Sequence, residues 1–140
     1  MRRTLALCAG AAALALATTL NAHVTVTPAQ STVGATERYT VRVPTEGQVA
    51  TTAVELDVPV GVTISGVLAS GAWKSELRRD ANRIVGVVWT VDIPVGHFGE
   101  LVFNARNPRD GAEIAWKFTQ RFADGTSRDW TPTTKLAKAQ

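Results

Sequence analysis

The chain is poor in sulfur. It has one cysteine and one methionine, Cys8 and Met1, and both lie within the first 22 of its 140 positions. A chain that loses those positions keeps no thiol and no thioether. Disulfide staples are then excluded, so packing alone must hold the fold. Thiolate zinc, iron–sulfur, blue-copper and Cu(I)-type sites are excluded for the same reason. Any metal site has to be built from nitrogen and oxygen, the donors that suit Cu(II), Ni(II) or Zn(II). An excess of one charge is also missing. Without Arg2 and Arg3 the chain carries 13 basic and 12 acidic residues. This near balance gives no footprint for nucleic acid or an anionic membrane surface. Histidine is scarce, with only His23 and His97. That scarcity leaves little room for Ser-His-Asp catalysis, and no Gly-x-Ser-x-Gly elbow, phosphate loop or zinc spacing occurs.

Long apolar runs are absent except for one, over residues 5–20. It follows Met1-Arg2-Arg3 and precedes Leu20-Asn21-Ala22. A charged start, an apolar centre and a small residue at the end make a secretory signal. The run falls short of the roughly 20 residues that span a bilayer. Cleavage is expected between Ala22 and His23 by a Sec-type route. That gives a periplasmic or secreted protein with no membrane anchor in its mature chain.

Beyond residue 22 the pattern is that of strands and turns. Apolar residues alternate over 24–27, 39–43, 54–58, 62–64, 85–91, 101–105 and 114–122, the period of half-buried strands. Turn residues punctuate them, among them Pro44-Thr45-Glu46-Gly47, Pro94-Val95-Gly96 and Asp124-Gly125. Seven to nine short strands with regular turns predict an antiparallel β-sandwich. Residues 113–120 can be forced into a helix, but Trp116, Phe118 and Phe122 favour a strand. Arg78-Arg79-Asp80 reads as a solvated turn. Residues 134–140 are polar and small and are expected to form a flexible C-terminal tail after a domain over 23–133.

Few residues can carry chemistry. A histidine at the first mature position offers a free α-amine and its ring Nδ1, which close a chelate ring on one metal ion. The amine titrates near ~7.7–8.0 when unperturbed, so a metal displaces its proton at modest cost. Cu(II) holds such nitrogen donors most tightly among the divalent ions. The alternative is a solvated strand start. His97 lies at a turn, where it is either an exposed side chain or the second half of a two-histidine brace. Glu55 and Asp57 alternate with Val54, Leu56 and Val58 and share the opposite face. They are either a solvated face or a source of oxygen ligands. Trp89 and Trp116 fall in apolar strands and belong to the core. Trp73 and Trp130 fall in polar stretches, as walls of a site or plugs at the end of the sandwich.

Several stretches resemble the YcnI-like copper-binding domain family: Ala22-His23-Val24-Thr25-Val26-Thr27-Pro28, YTVRVP at 39–44, TTAVELDVPVG at 51–61, Gly71-Ala72-Trp73, and KFTQRFADGTSRDWTP at 117–132. The resemblance spans roughly residues 23–133. It implies an immunoglobulin-like sandwich outside the cytoplasm that binds Cu(II). It further implies that His23 supplies amine and Nδ1, Glu55 the carboxylate, and Trp130 the aromatic beside the ion. The function implied is non-enzymatic copper homeostasis or delivery, with the copper ion and another exported copper-handling protein as partners. An oxidative copper enzyme with a His23/His97 brace and a metal-free interaction sandwich are the competing readings.

Overall fold

The computed structural model describes residues 23–140, so the expected signal peptide lies outside the described residues. Twelve strands and no helix make up the described chain: β1 (Thr25–Thr27), β2 (Gln30–Thr32), β3 (Thr36–Pro44), β4 (Thr51–Asp57), β5 (Thr63–Val67), β6 (Lys74–Asp80), β7 (Arg83–Ile93), β8 (Phe98–Arg106), β9 (Glu113–Ala115), β10 (Lys117–Phe122), β11 (Ser127–Trp130) and β12 (Thr133–Ala137). One sheet runs β1-β3-β8-β5, and the facing sheet runs β11-β10-β4-β7-β6. A small third sheet, β2-β12-β9, contains the parallel pair β2–β12; the other strand pairs are antiparallel. The architecture is an immunoglobulin-like β-sandwich.

The alternation builds the core. Tyr39, Val41 and Val43 point inward from β3, and Val54 and Leu56 from β4, while Arg42 and Asp57 between and beyond them are exposed. Five aromatic side chains, Tyr39, Trp89, Phe103, Trp116 and Phe118, lie almost wholly buried. Tyr39, Phe103 and Trp116 meet with ring centroids 4.8 to 5.7 Å apart. Such tilted and edge-on contacts favour the aromatic quadrupoles and add to the area they remove from water.

Three expectations are corrected. The run over 114–122 is two strands in different sheets, broken at the buried Trp116. Arg78-Arg79-Asp80 belongs to a strand, β6, whose residues are exposed on both faces, so no apolar alternation announces it. The end of the chain is no free tail: β12 pairs with β2 and β9. Thr134 is fully buried there. Its hydroxyl accepts from the Trp116 indole at 3.0 Å and donates to the Pro28 carbonyl at 3.0 Å. Among the described residues no helix is long and apolar enough to cross a membrane.

Candidate metal centre

Two strands from different sheets meet at one edge of the sandwich. The β1–β3 register places Thr25 opposite Arg42, so its continuation brings His23 level with Pro44. On the other sheet, Trp130 ends β11 opposite Phe118, which in turn faces Leu56 across β4. Paired residues share a face, and Phe118 and Leu56 are buried, so Trp130 is turned toward the sandwich interior and its rim. The His23 imidazole meets the Trp130 indole edge-on, with centroids 5.1 Å apart and planes at 79°. The Arg128 guanidinium lies over the same indole, 4.7 Å from its centre.

Trp130 is held by a buried polar chain. Its indole N–H donates to Gln120 Oε1 at 2.9 Å. Gln120 Nε2 donates to the Pro44 carbonyl at 2.9 Å and to Thr51 Oγ1 at 2.8 Å. Thr45 gives its one hydroxyl proton to the Ile93 carbonyl at 2.9 Å, so Thr51 donates in the 2.6 Å contact between the two threonines. Among the described residues no buried side-chain polar atom lacks a partner. Gln120 thus fixes the tryptophan and the end of β3 against each other. The sequence carried a signal for it: Gln120 falls in step with Phe118 on the inward face of β10, where a polar residue needs partners.

Beyond Pro44 the chain turns and presents Glu46. A groove of about 480 Å³ opens there, lined by Pro44, Glu46, Gln48, Gln120, Asp124 and Trp130. The Thr126 hydroxyl, and after it the Thr126 backbone N–H, hold the Asp124 carboxyl below the usual carboxylate range. Glu46 also borders a second groove of about 370 Å³, with Arg42, His97 and Phe98. His97 is exposed, with Nδ1 3.2 Å from the Val95 carbonyl, on a turn tied to the chain at Thr45 by the hydrogen bonds Thr45 N–H to His97 O and Gly96 N–H to Thr45 O.

Glu55 stands elsewhere. It pairs with Thr119, and Thr119 pairs with Asp129, on the face of the sheet opposite to Leu56, Phe118 and Trp130. Its Oε2 accepts from Arg121 Nη2 at 2.7 Å and from Nε at 3.0 Å. Asp57, on the same outer face, is paired with Arg78 at 3.0 Å. Of the residues singled out in the sequence, His23 and Trp130 are therefore brought together, and Glu55 and Asp57 are turned away from them. Two carboxylates line the groove beside Trp130: Glu46, which the sequence presents only as a turn residue, and Asp124, which accepts from the Thr126 hydroxyl at 2.6 Å and backbone N–H at 3.0 Å. Trp73 packs against the core rim, and Trp89 and Trp116 are core. Among the described residues no three His, Cys, Asp or Glu side chains converge on one point. A site here must draw on a donor besides those side chains, and the α-amine of a chain beginning at His23 is such a donor.

Comparison with known proteins fits this picture. A domain of unknown function, DUF1775, matches residues 23–140. The copper-binding protein CutI of Bacillus subtilis (strain 168) is 35% identical over 114 residues, which are 79% of this chain and 56% of that protein. The match thus spans about half the length of this curated relative. Among solved structures, an uncharacterized protein from Nocardia farcinica with an immunoglobulin-like fold superposes with a TM-score of 0.73 at 26% identity, covering 82% of this chain and 98% of that one. A non-cellulosomal cohesin from the hyperthermophilic archaeon Archaeoglobus fulgidus shares the fold at a TM-score of 0.52 and 13% identity, over 82% of this chain and 90% of its own. The chain belongs to the DUF1775 family of YcnI-like domains.

Proposed function

We propose that the protein is an exported Cu(II)-binding protein of copper homeostasis or delivery. Signal cleavage before His23 would free the amine, so that amine and Nδ1 grip one ion. Glu46 supplies the oxygen ligand in place of Glu55, and Trp130 shields the site. The donor set is nitrogen and oxygen only, as Cu(II) accepts. The observation that carries the reading is the edge-on contact of His23 with Trp130, the side chain that also lines the groove bordered by Glu46. The named copper-binding relative from Bacillus subtilis supports the metal.

Each residue has a distinct task. His23 binds through two atoms of one residue, which lowers the entropy cost of the second bond. Glu46 contributes negative charge against the divalent ion. Gln120 holds the indole of Trp130 in place through its N–H. Trp130 in turn covers one side of His23 and keeps water from that side. A binding role requires no further group. An oxidative role would require His97 as a second histidine; His97 borders a different groove from the one Trp130 lines.

The test is Cu(II) titration of protein that begins at His23, followed by tryptophan fluorescence, beside the same protein with its amine acetylated. Quenching that reports tight 1:1 binding, lost on acetylation, is the expected outcome. Equal affinity of the two forms would refute the chelate.

A further inference from the structure

We propose that the protein self-associates through β6, joining two copies edge to edge in an antiparallel pair centred on Leu77. This surface is separate from the metal centre, and the inference does not rest on copper binding.

β6 forms one end of its five-stranded sheet, with β7 as its neighbour. All seven of its residues are exposed, and none is proline or glycine. Its pairing with β7 shifts between Arg78 and Arg79, where the partner jumps from Gly86 to Ile84. The extra residue, Val85, is therefore on β7, and β6 itself stays a regular strand with open backbone groups along its outer edge. Such an edge is a template for another strand. Proteins commonly blunt it with charge, because like charges repel an incoming copy.

Here the charges do the reverse. The strand reads Lys74-Ser75-Glu76-Leu77-Arg78-Arg79-Asp80. Laid antiparallel on a second copy about Leu77, Lys74 falls opposite Asp80 and Glu76 opposite Arg78, each twice by symmetry. Ser75 falls opposite Arg79, and Leu77 meets Leu77. Strand alternation places Lys74, Glu76, Arg78 and Asp80 on one face, so the four cross-strand pairs form one ladder of alternating sign. Within the chain, Arg78 is paired with Asp57 on that face. Among the described residues no intrachain ion pair engages Lys74, Glu76 or Asp80. On the other face Leu77 is 39% exposed although its partner on β7, Val87, is fully buried. A second Leu77 would cover it. The two-fold pairing makes the same patch complementary to itself, as a closed dimer requires. A seven-residue edge buries less than the standard interface, so the dimer is weak, with a dissociation constant on the order of 100 µM.

Sedimentation equilibrium of the purified protein from about 5 µM to about 1 mM reads this directly. The expected result is reversible dimerisation that weakens about tenfold in Lys74→Glu, and likewise in Asp80→Lys, since each sets like charges opposite twice. An equimolar mixture of the two variants restores it. Across the mixed pair the carboxylate introduced at position 74 of one copy faces the ammonium introduced at position 80 of the other, and the remaining Lys74 faces the remaining Asp80. Both positions are exposed, and circular dichroism of each variant verifies the fold. A monomer throughout the range overturns the proposal. So does a dimer that neither variant weakens, or one that mixing does not restore.

Discussion

At the scale of single residues, the decisive question is which carboxylate completes the site proposed at His23. Glu55 and Glu46 are nine positions apart in sequence, but a sheet lies between them. Glu55 shares its face with Thr119 and Asp129 and is occupied by Arg121. Glu46 shares a groove with Trp130. Glu46→Gln keeps the shape and removes the charge, and is expected to weaken Cu(II) binding at least about tenfold, since loss of even an outer partner of a metal ligand costs roughly 10–100-fold. Glu55→Gln is expected to leave the affinity within about twofold. It frees Arg121 from an exposed ion pair, of a kind that contributes about 0–1 kcal/mol. Isothermal titration of the two variants separates the candidates. The reverse ranking would return Glu55 to the site and displace Glu46.

At the scale of elements, β12 turns polar sequence into structure. Thr134 is buried because its hydroxyl serves two groups at once, the Trp116 indole and the Pro28 carbonyl. Thr134→Val is nearly isosteric but leaves that buried indole donor without a partner. The expected loss is about 1–3 kcal/mol, read from urea unfolding. An unchanged stability would mean that β12 is an ornament rather than a support. The same strand explains what was legible in the sequence. Strands with one buried face, such as β3 and β4, announce themselves by period, and so did the sandwich. β6 and β11 are exposed through most of their length, and β12 has a buried threonine where the pattern calls for an apolar side chain. Period 2 in hydrophobicity cannot find them. His23 and Trp130 were legible because each is a rare type in an unusual place. The place of Glu46 in the groove beside Trp130 was not, because it arises only when the turn after β3 folds beside the edge of the opposite sheet. A period predicts which way a side chain faces along its own strand. It carries no information about which turn lies across from it.

At the scale of the whole molecule, a single phenol reports on whether the sandwich stays closed. Tyr39 is the only tyrosine. Its side chain lies in the centre of the core, and its hydroxyl donates to Asn107 Oδ1. Asn107 Nδ2 in turn donates to Ser31 Oγ and the Thr32 carbonyl, each at 2.8 Å, tying β2 to the end of β8. Burial pushes the phenol up from its ordinary value, because the phenolate would lose its water. The folded state thus holds the proton more tightly than the unfolded state. The stabilisation this brings is fully present below the unfolded value near ~10, and is lost as pH rises from there through the higher folded value. Phenolate absorbance is therefore expected to appear only above the free-tyrosine range and together with loss of near-ultraviolet circular dichroism, since ionising Tyr39 and opening the core are one event. In Tyr39→Phe the core keeps its ring, but Asn107 Oδ1 loses its donor. This variant starts less stable at neutral pH, and its deficit against the wild type should shrink across that alkaline window. Phenolate absorbance that rises at the ordinary value while the near-ultraviolet signal persists would mean that the core admits water to Tyr39 without unfolding, and the closed sandwich argued from its burial would be wrong.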